Sequence, residues 1–209
     1  MFTKSILTLR QAWGAGWGVE PAMSDPVASV RGMKLFTRYR ILNATRALVS
    51  EVGVERVTMR GIARLANITA PAIYKHFRNK RDLLDQVIAH AFSELDEEML
   101  RGYHTPSAPR GLRTMTDEVV RFAMRYPKLT DMMLAPRTVD AKPLNRLEVQ
   151  VERCMHERVL RPAPSGDIAL LLWAQMRGIL SRKQEGPDEH LRAAFDGAMA
   201  RVLRPLAAA

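Results

Sequence analysis

The chain has 209 residues, enough for a sizeable core, and 47% of them are hydrophobic with 26% charged, an ordinary balance for a globular protein. Its one cysteine, Cys154, excludes an internal disulfide framework and points to a reducing compartment, the cytoplasm. The net charge is +10, and residues 34–82 hold eleven basic against three acidic side chains, so nearly all of the excess lies in that one segment. Such asymmetry is the footprint of a polyanion-binding module on a near-neutral body.

Residues 1–33 include WGAGWG and lack sustained periodicity. Lys4 followed by ILTL begins like a signal peptide, but Arg10 and Gln11 interrupt the apolar run. The segment is expected to be a disordered extension, or sequence upstream of the true start, with Met23 and Met33 as alternative starts. Helical spacing sets in afterwards. Phe36, Ile41, Leu42, Ala44, Leu48, Val49 and Val52 mark a helix over 36–52, stopped by Gly53. Thr58 is placed to cap a second helix carrying Ile62, Ala63 and Ala66 on one face. Asn67 marks a left-handed corner, and Thr69 caps a third helix over 69–77 with Pro71 in its first turn. Asn79 caps a long fourth helix to about Arg101, with Asp82 at its third position.

The loop HTPSAP (104–109) leads to a second helical region, with helices expected over 109–125, 128–135, 144–161, 165–184 and 188–204. Pro127, Pro136, Pro143, Pro162, Pro164 and Pro187 punctuate it. No strand alternation, repeat or bilayer-length apolar run is present. The expected fold is all-α: a three-helix helix-turn-helix head on 34–82 and a helical body on 83–209.

A short helix pair meeting at a corner, with a Tyr-Lys-His-Phe cluster at its tip, suits docking in a DNA groove. Ile73 and Phe77 lie four apart and should face inward. Tyr74 and His76 can donate to phosphate oxygens, and Lys75, Arg78 and Lys80 add charge, Lys80 at a helix N-terminus that favours phosphate. Ala70, Pro71 and Ala72 offer base edges only apolar contact and shape, so polar readout falls to Thr69, Arg60 and Lys75. Thr58 completes the expected DNA-facing set.

The stretch VTMRGIARLANITAPAIYKHFRNKRDLL resembles the helix-turn-helix signature of TetR-type transcriptional regulators, through Thr58, Ile62, Ala63, Ala66, Thr69, Ile73, Tyr74, His76, Phe77, Lys80 and Leu83–Leu84. Asn67 stands where the family usually has a corner glycine. RFAMRYPKLTDMML (121–134) and WAQMRG (173–178) resemble the ligand-binding and dimerisation half of one subgroup, which usually has a His where this chain has Arg177. The resemblance implies phosphate contacts for Tyr74, His76 and Lys80, a homodimer built on the last two helices, and ligand-controlled binding to a pseudo-palindromic operator, repression being the family default.

Met115, Phe122, Met132, Met133, Met155, Trp173 and Met176 supply soft apolar surface, either core or the wall of a small hydrophobic ligand site. His156 and Cys154 lack partners at metal-ligand spacing. No Gly-rich phosphate loop, nucleophile elbow or paired-carboxylate motif is present, so neither an enzyme nor a cofactor or metal is expected. The rival reading is a helical carrier of hydrophobic molecules whose basic head meets an acidic membrane or protein surface.

Overall fold

The computed structural model describes residues 26–135, 141–181 and 188–208. Expectations about residues 1–25, Met23 among them, and about Pro136 and Pro187 lie outside the described residues. Among the described residues nine α-helices follow one another: α1 Pro26–Val52, α2 Met59–Leu65, α3 Ala70–Tyr74, α4 Lys80–Tyr103, α5 Ala108–Arg125, α6 Pro127–Met133, α7 Ala141–His156, α8 Ser165–Ser181 and α9 Asp188–Leu203. No strand occurs among the described residues, only one isolated bridge between Leu160 and Ala207.

The chain divides into two units, Met1–Tyr39 and Arg40–Ala209. In the first, helix is already present from Pro26, ten residues before the expected start, and Thr37 Oγ1 donates to Met33 O at 2.9 Å. Helix thus covers 26–33, the last part of the expected extension, and Pro26 supplies a φ suited to a helix start. Phe36, expected on the apolar face, is exposed along with Met33 and Leu35.

In the second unit one hydrophobic cluster runs without a break from Ile41 through Leu83 and Val87 to Met199, so position 82 marks no gap in the packing. Ile41, Val49, Ile62, Ile73 and Leu83 are fully buried. Each such side chain contributes about 1.5–3 kcal/mol relative to exposure. Gly53 ends α1 at φ 81, a backbone that a side chain would strain.

The tightest packing joins α4 to α5. A Cβ on Gly102 would stand 2.4 Å from Gly111 O, so these helices touch backbone to backbone. Buried Gln150 on α7 donates to Ala108 O at 2.8 Å, and Ala108 N–H donates to the Glu157 carboxylate at 2.9 Å. That carboxylate supplies the N-terminal anion which the Ser107 side chain does not. Arg146 grips Asp96 with two contacts of 2.5 and 2.6 Å, tying α7 to α4. Glu118, 1% exposed, is held by Arg121 at 2.6 Å and Arg101 at 3.1 Å.

Expected and observed helices of the body agree within a few residues, with one correction. α7 ends at His156, five residues before 161, because Arg158 turns left-handed at φ 57. Val159 N–H then returns to Cys154 O and Arg158 N–H to Met155 O, both at 2.9 Å, closing the helix before Pro162 is reached.

Candidate nucleic-acid interface

The head is assembled by local chemistry. Gly61 N–H donates to Thr58 Oγ1 at 3.1 Å, capping α2. Ile68 N–H reaches back to Ala63 O at 3.0 Å and Asn67 N–H to Arg64 O at 3.3 Å, with Asn67 left-handed at φ 51. Thr69 follows as N-cap of α3 in extended backbone, although its side chain makes no capping bond, and Pro71 lies in the first turn. Asp82 N–H donates to Asn79 Oδ1 and Arg78 N–H to Asp82 Oδ2, both at 2.8 Å, a reciprocal closure of the α4 N-terminus. The Arg78 N–H, and then the Gln86 amide, hold the Asp82 carboxyl below its ordinary range.

α3 is short, five residues against the nine expected, because Lys75 already takes the C-cap position. Ile73 and Phe77 are 0% and 1% exposed and anchor it to the core, as their spacing requires. Tyr74 is 54% exposed, which excludes a core ring at that position. Lys75, Pro71, Thr69, Thr58 and Arg60 are exposed, while Ala70, Ala72, His76 and Lys80 are half-buried. Lys80 is the first residue of α4. Nine of the ten expected DNA-facing residues thus lie on α2, α3, their caps and the start of α4, His76 lies in the turn between α3 and α4, and none of the ten is fully buried.

Two arginines counted in the basic excess have duties inside the fold. Arg40 Nη2 donates to Ala66 O, in a very short contact, and to Asn67 O at 3.4 Å. Arg46 Nη2 donates to Glu94 Oε1 at 2.9 Å. Composition alone assigns both to a polyanion; only their partners, distant in sequence, say otherwise.

The seven residues expected as either core or ligand wall lie in or against the core. Met115, Phe122, Met132, Met133, Trp173 and Met176 are buried in the core cluster, and Met155 is partly buried against it. A cavity of about 380 Å³ lies elsewhere, between α5, the end of α7 and α9, with Leu112, Leu160, Met199 and Leu203 on its walls and Arg113, Asp196 and Arg204 among its polar lining. None of the seven lines it. Arg177, where the resembled subgroup usually has a His, donates to Leu134 O at 2.9 Å and so ties α8 to the end of α6.

Among the described residues no group of three or more His, Cys, Asp or Glu could hold a metal ion, and no helix is long and apolar enough to cross a membrane.

Residues 41–87, which include α2, α3 and the start of α4, match the family model for bacterial regulatory proteins of the tetR family. By this match residues 41–87 form a TetR-family segment. Among curated relatives it is 30% identical over 132 residues to the HTH-type transcriptional repressor KstR of Mycobacterium tuberculosis, covering 62% of this chain and 60% of that one. It is 43% identical over 70 residues to the class A tetracycline repressor protein of Escherichia coli, covering 34% of this chain and 29% of that one. The chain thus spans 60% or less of these relatives. A TetR-family transcriptional regulator from Pectobacterium atrosepticum superposes with a TM-score of 0.71 at 21% identity, over 85% of this chain and 97% of that one, a likeness of fold.

Proposed function

We propose that this chain is a TetR-family transcriptional regulator, a homodimeric repressor that binds a pseudo-palindromic operator and releases it when a small hydrophobic ligand occupies its body. The head is 34–82 and the body 83–209 in this reading, and a role on DNA places the protein in the cytoplasm. Regulation proceeds by binding, with no catalytic step.

The observation that carries the reading is α3 itself. A five-residue helix pinned by buried Ile73 and Phe77 carries exposed Tyr74 and Lys75, with Lys80 at the start of the next helix. Such a helix can enter the major groove while its neighbours rest on phosphates. Tyr74, His76 and Lys80 contact the backbone; Thr58, whose oxygen accepts from Gly61, retains its hydroxyl proton for a phosphate. Ala70, Pro71 and Ala72 meet thymine methyls, and Thr69, Arg60 and Lys75 supply polar readout.

The exposed residues of α8 from 170 to 178 are Leu170, Leu171, Ala174, Gln175 and Gly178, none of them charged. An uncharged helical stripe of this kind supports pairing with a second copy, which sets two heads on half-sites roughly one helical turn (~34 Å) apart. For the ligand, the cleft walled by Leu112, Leu160, Met199 and Leu203 offers existing space, whereas a site among Met115, Phe122 and Met176 requires the core to open. α5 lines that cleft and touches α4 at Gly111, a route by which occupancy can reach the head. The test is selection of duplexes from a random-sequence pool by the purified protein. Enrichment of an inverted repeat supports the reading, and no enrichment contradicts it.

A further inference from the structure

The corner between α2 and α3 directs the recognition helix, and its own hydrogen bonds leave carbonyls unanswered. The returns from Ile68 to Ala63 and from Asn67 to Arg64 satisfy two carbonyls of the last turn of α2. They also require position 67 to be left-handed. Asn67 complies at φ 51, at a steric cost that a glycine would not carry. The carbonyls of Ala66 and Asn67 remain at the corner. Both are met by one guanidinium on α1, that of Arg40, which also brings a positive charge to the negative end of α2.

We propose that Arg40 is the positioning residue of the α2–α3 corner: it offsets the strain at Asn67 and so fixes the direction of α3. This rests on the DNA-binding reading above. α3 has few other guides at its leading end. The Thr69 side chain makes no capping bond, and the buried anchors Ile73 and Phe77 lie toward the far end. The residues assigned to base edges, Thr69 to Ala72, come directly after the corner. Loss of Arg40 therefore costs discrimination between sequences, with little change in attraction to phosphate.

The experiment compares full-length wild type, Arg40→Ala, Asn67→Gly and the double variant on the duplex enriched by the wild type and on its scrambled counterpart. Arg40→Ala is expected to lower the ratio of specific to scrambled affinity about tenfold, on the scale of one charge-assisted hydrogen bond, with the slope of log K against log salt unchanged. Asn67→Gly alone leaves the ratio near wild type, and in the Arg40→Ala background it restores most of the loss. Equal losses on both duplexes with a slope smaller by about one would make Arg40 a phosphate contact and overturn the proposal. Failure of Asn67→Gly to restore discrimination overturns it as well.

Hydrogen exchange without DNA reads the corner separately. The Ile68 amide, protected by Ala63 O, should exchange about tenfold faster in Arg40→Ala and return toward wild type in the double variant. Unchanged exchange overturns the proposal even if DNA recognition is sound. If the wild type enriches no duplex, the functional reading fails, and exchange still decides whether Arg40 holds the corner.

Discussion

Arg46 on α1 and Glu94 on α4 meet at two points: Nη2 donates to Oε1 at 2.9 Å, and Nη1 stands 2.6 Å from Oε2. The same guanidinium lies 4.6 Å from the centre of the Tyr126 ring, which also has Arg125 at 5.5 Å and the Phe122 ring at 5.2 Å. Lys128 Nζ, two residues on, donates to Glu51 O near the end of α1. The corner between α5 and α6 therefore grips the first helix of the head. A shift of that corner must be accommodated by α1 or break these contacts.

The Arg46 and Glu94 side chains are 24% and 20% exposed, between the surface and the fully buried regimes. A double-mutant cycle with Arg46→Met and Glu94→Gln should give a coupling of about 1–2 kcal/mol in urea unfolding, above the usual surface pair and below a fully buried one. A coupling near zero would show that the pair does not bind α1 to α4.

Arg60 and Lys80 should respond differently to truncation. Arg60→Ala is expected to reduce discrimination between specific and random duplex by about 1–3 kcal/mol if, as proposed, it reads bases. Lys80→Ala should weaken binding to every duplex alike and reduce the salt slope by about one if, as proposed, its charge meets phosphate. Fluorescence anisotropy across a salt series separates the two patterns. Equal losses on both duplexes for Arg60→Ala would remove it from the readout set.

Much of this head was legible from sequence because its signals are local. Thr58 and Asn79 cap helices three residues from their partners, Asn67 advertises the left-handed corner, and Ile73 and Phe77 share a face by spacing alone. What sequence hid was everything that depends on distant partners. Arg40 answers carbonyls 26 and 27 positions away and Arg46 a carboxylate 48 away, so both read as surplus charge. The body shows the same limit. Soft residues such as Met115 and Met176 fill the core, while the cleft arises where Leu112, Leu160 and Met199 are brought together from three parts of the chain. The end of α7 was misplaced because Arg158 adopts a left-handed backbone that its residue type does not signal.

Leu170 and Leu171 are each 54% exposed on α8, and a Cβ on Gly178 would meet nothing within 4 Å. In the homodimer reading this open stripe is where the second copy sits. Leu171→Arg should then give a monomer by sedimentation at concentrations where the wild type is a dimer, with helical circular dichroism retained. Operator affinity should fall with it, since one head reaches only one half-site. A Leu171→Arg protein that remains dimeric would move the interface elsewhere.

Cys154 is 1% exposed, and burial pushes its thiol up to about 11 from an ordinary 9.0. For a raised folded value, the contribution to stability is fully present below about 9 and is lost as pH rises through about 11. At pH 8 the folded thiol is protonated and enclosed. Iodoacetamide should therefore label native protein at least about a hundredfold more slowly than urea-unfolded protein. Comparable rates would show that the α7 end, where Val159 N–H closes on Cys154 O, opens readily.

Sequence-selective DNA binding by the α3 surface is the central property proposed for this protein. The direct measurement is fluorescence anisotropy of the full-length protein on the inverted-repeat duplex it enriches from a random pool, against a scrambled duplex, across a salt series. Selective binding by at least about a thousandfold with a steep negative salt slope is expected, with loss of affinity for both duplexes in Tyr74→Ala. Equal weak binding to both duplexes, unaffected by Tyr74→Ala, would contradict it.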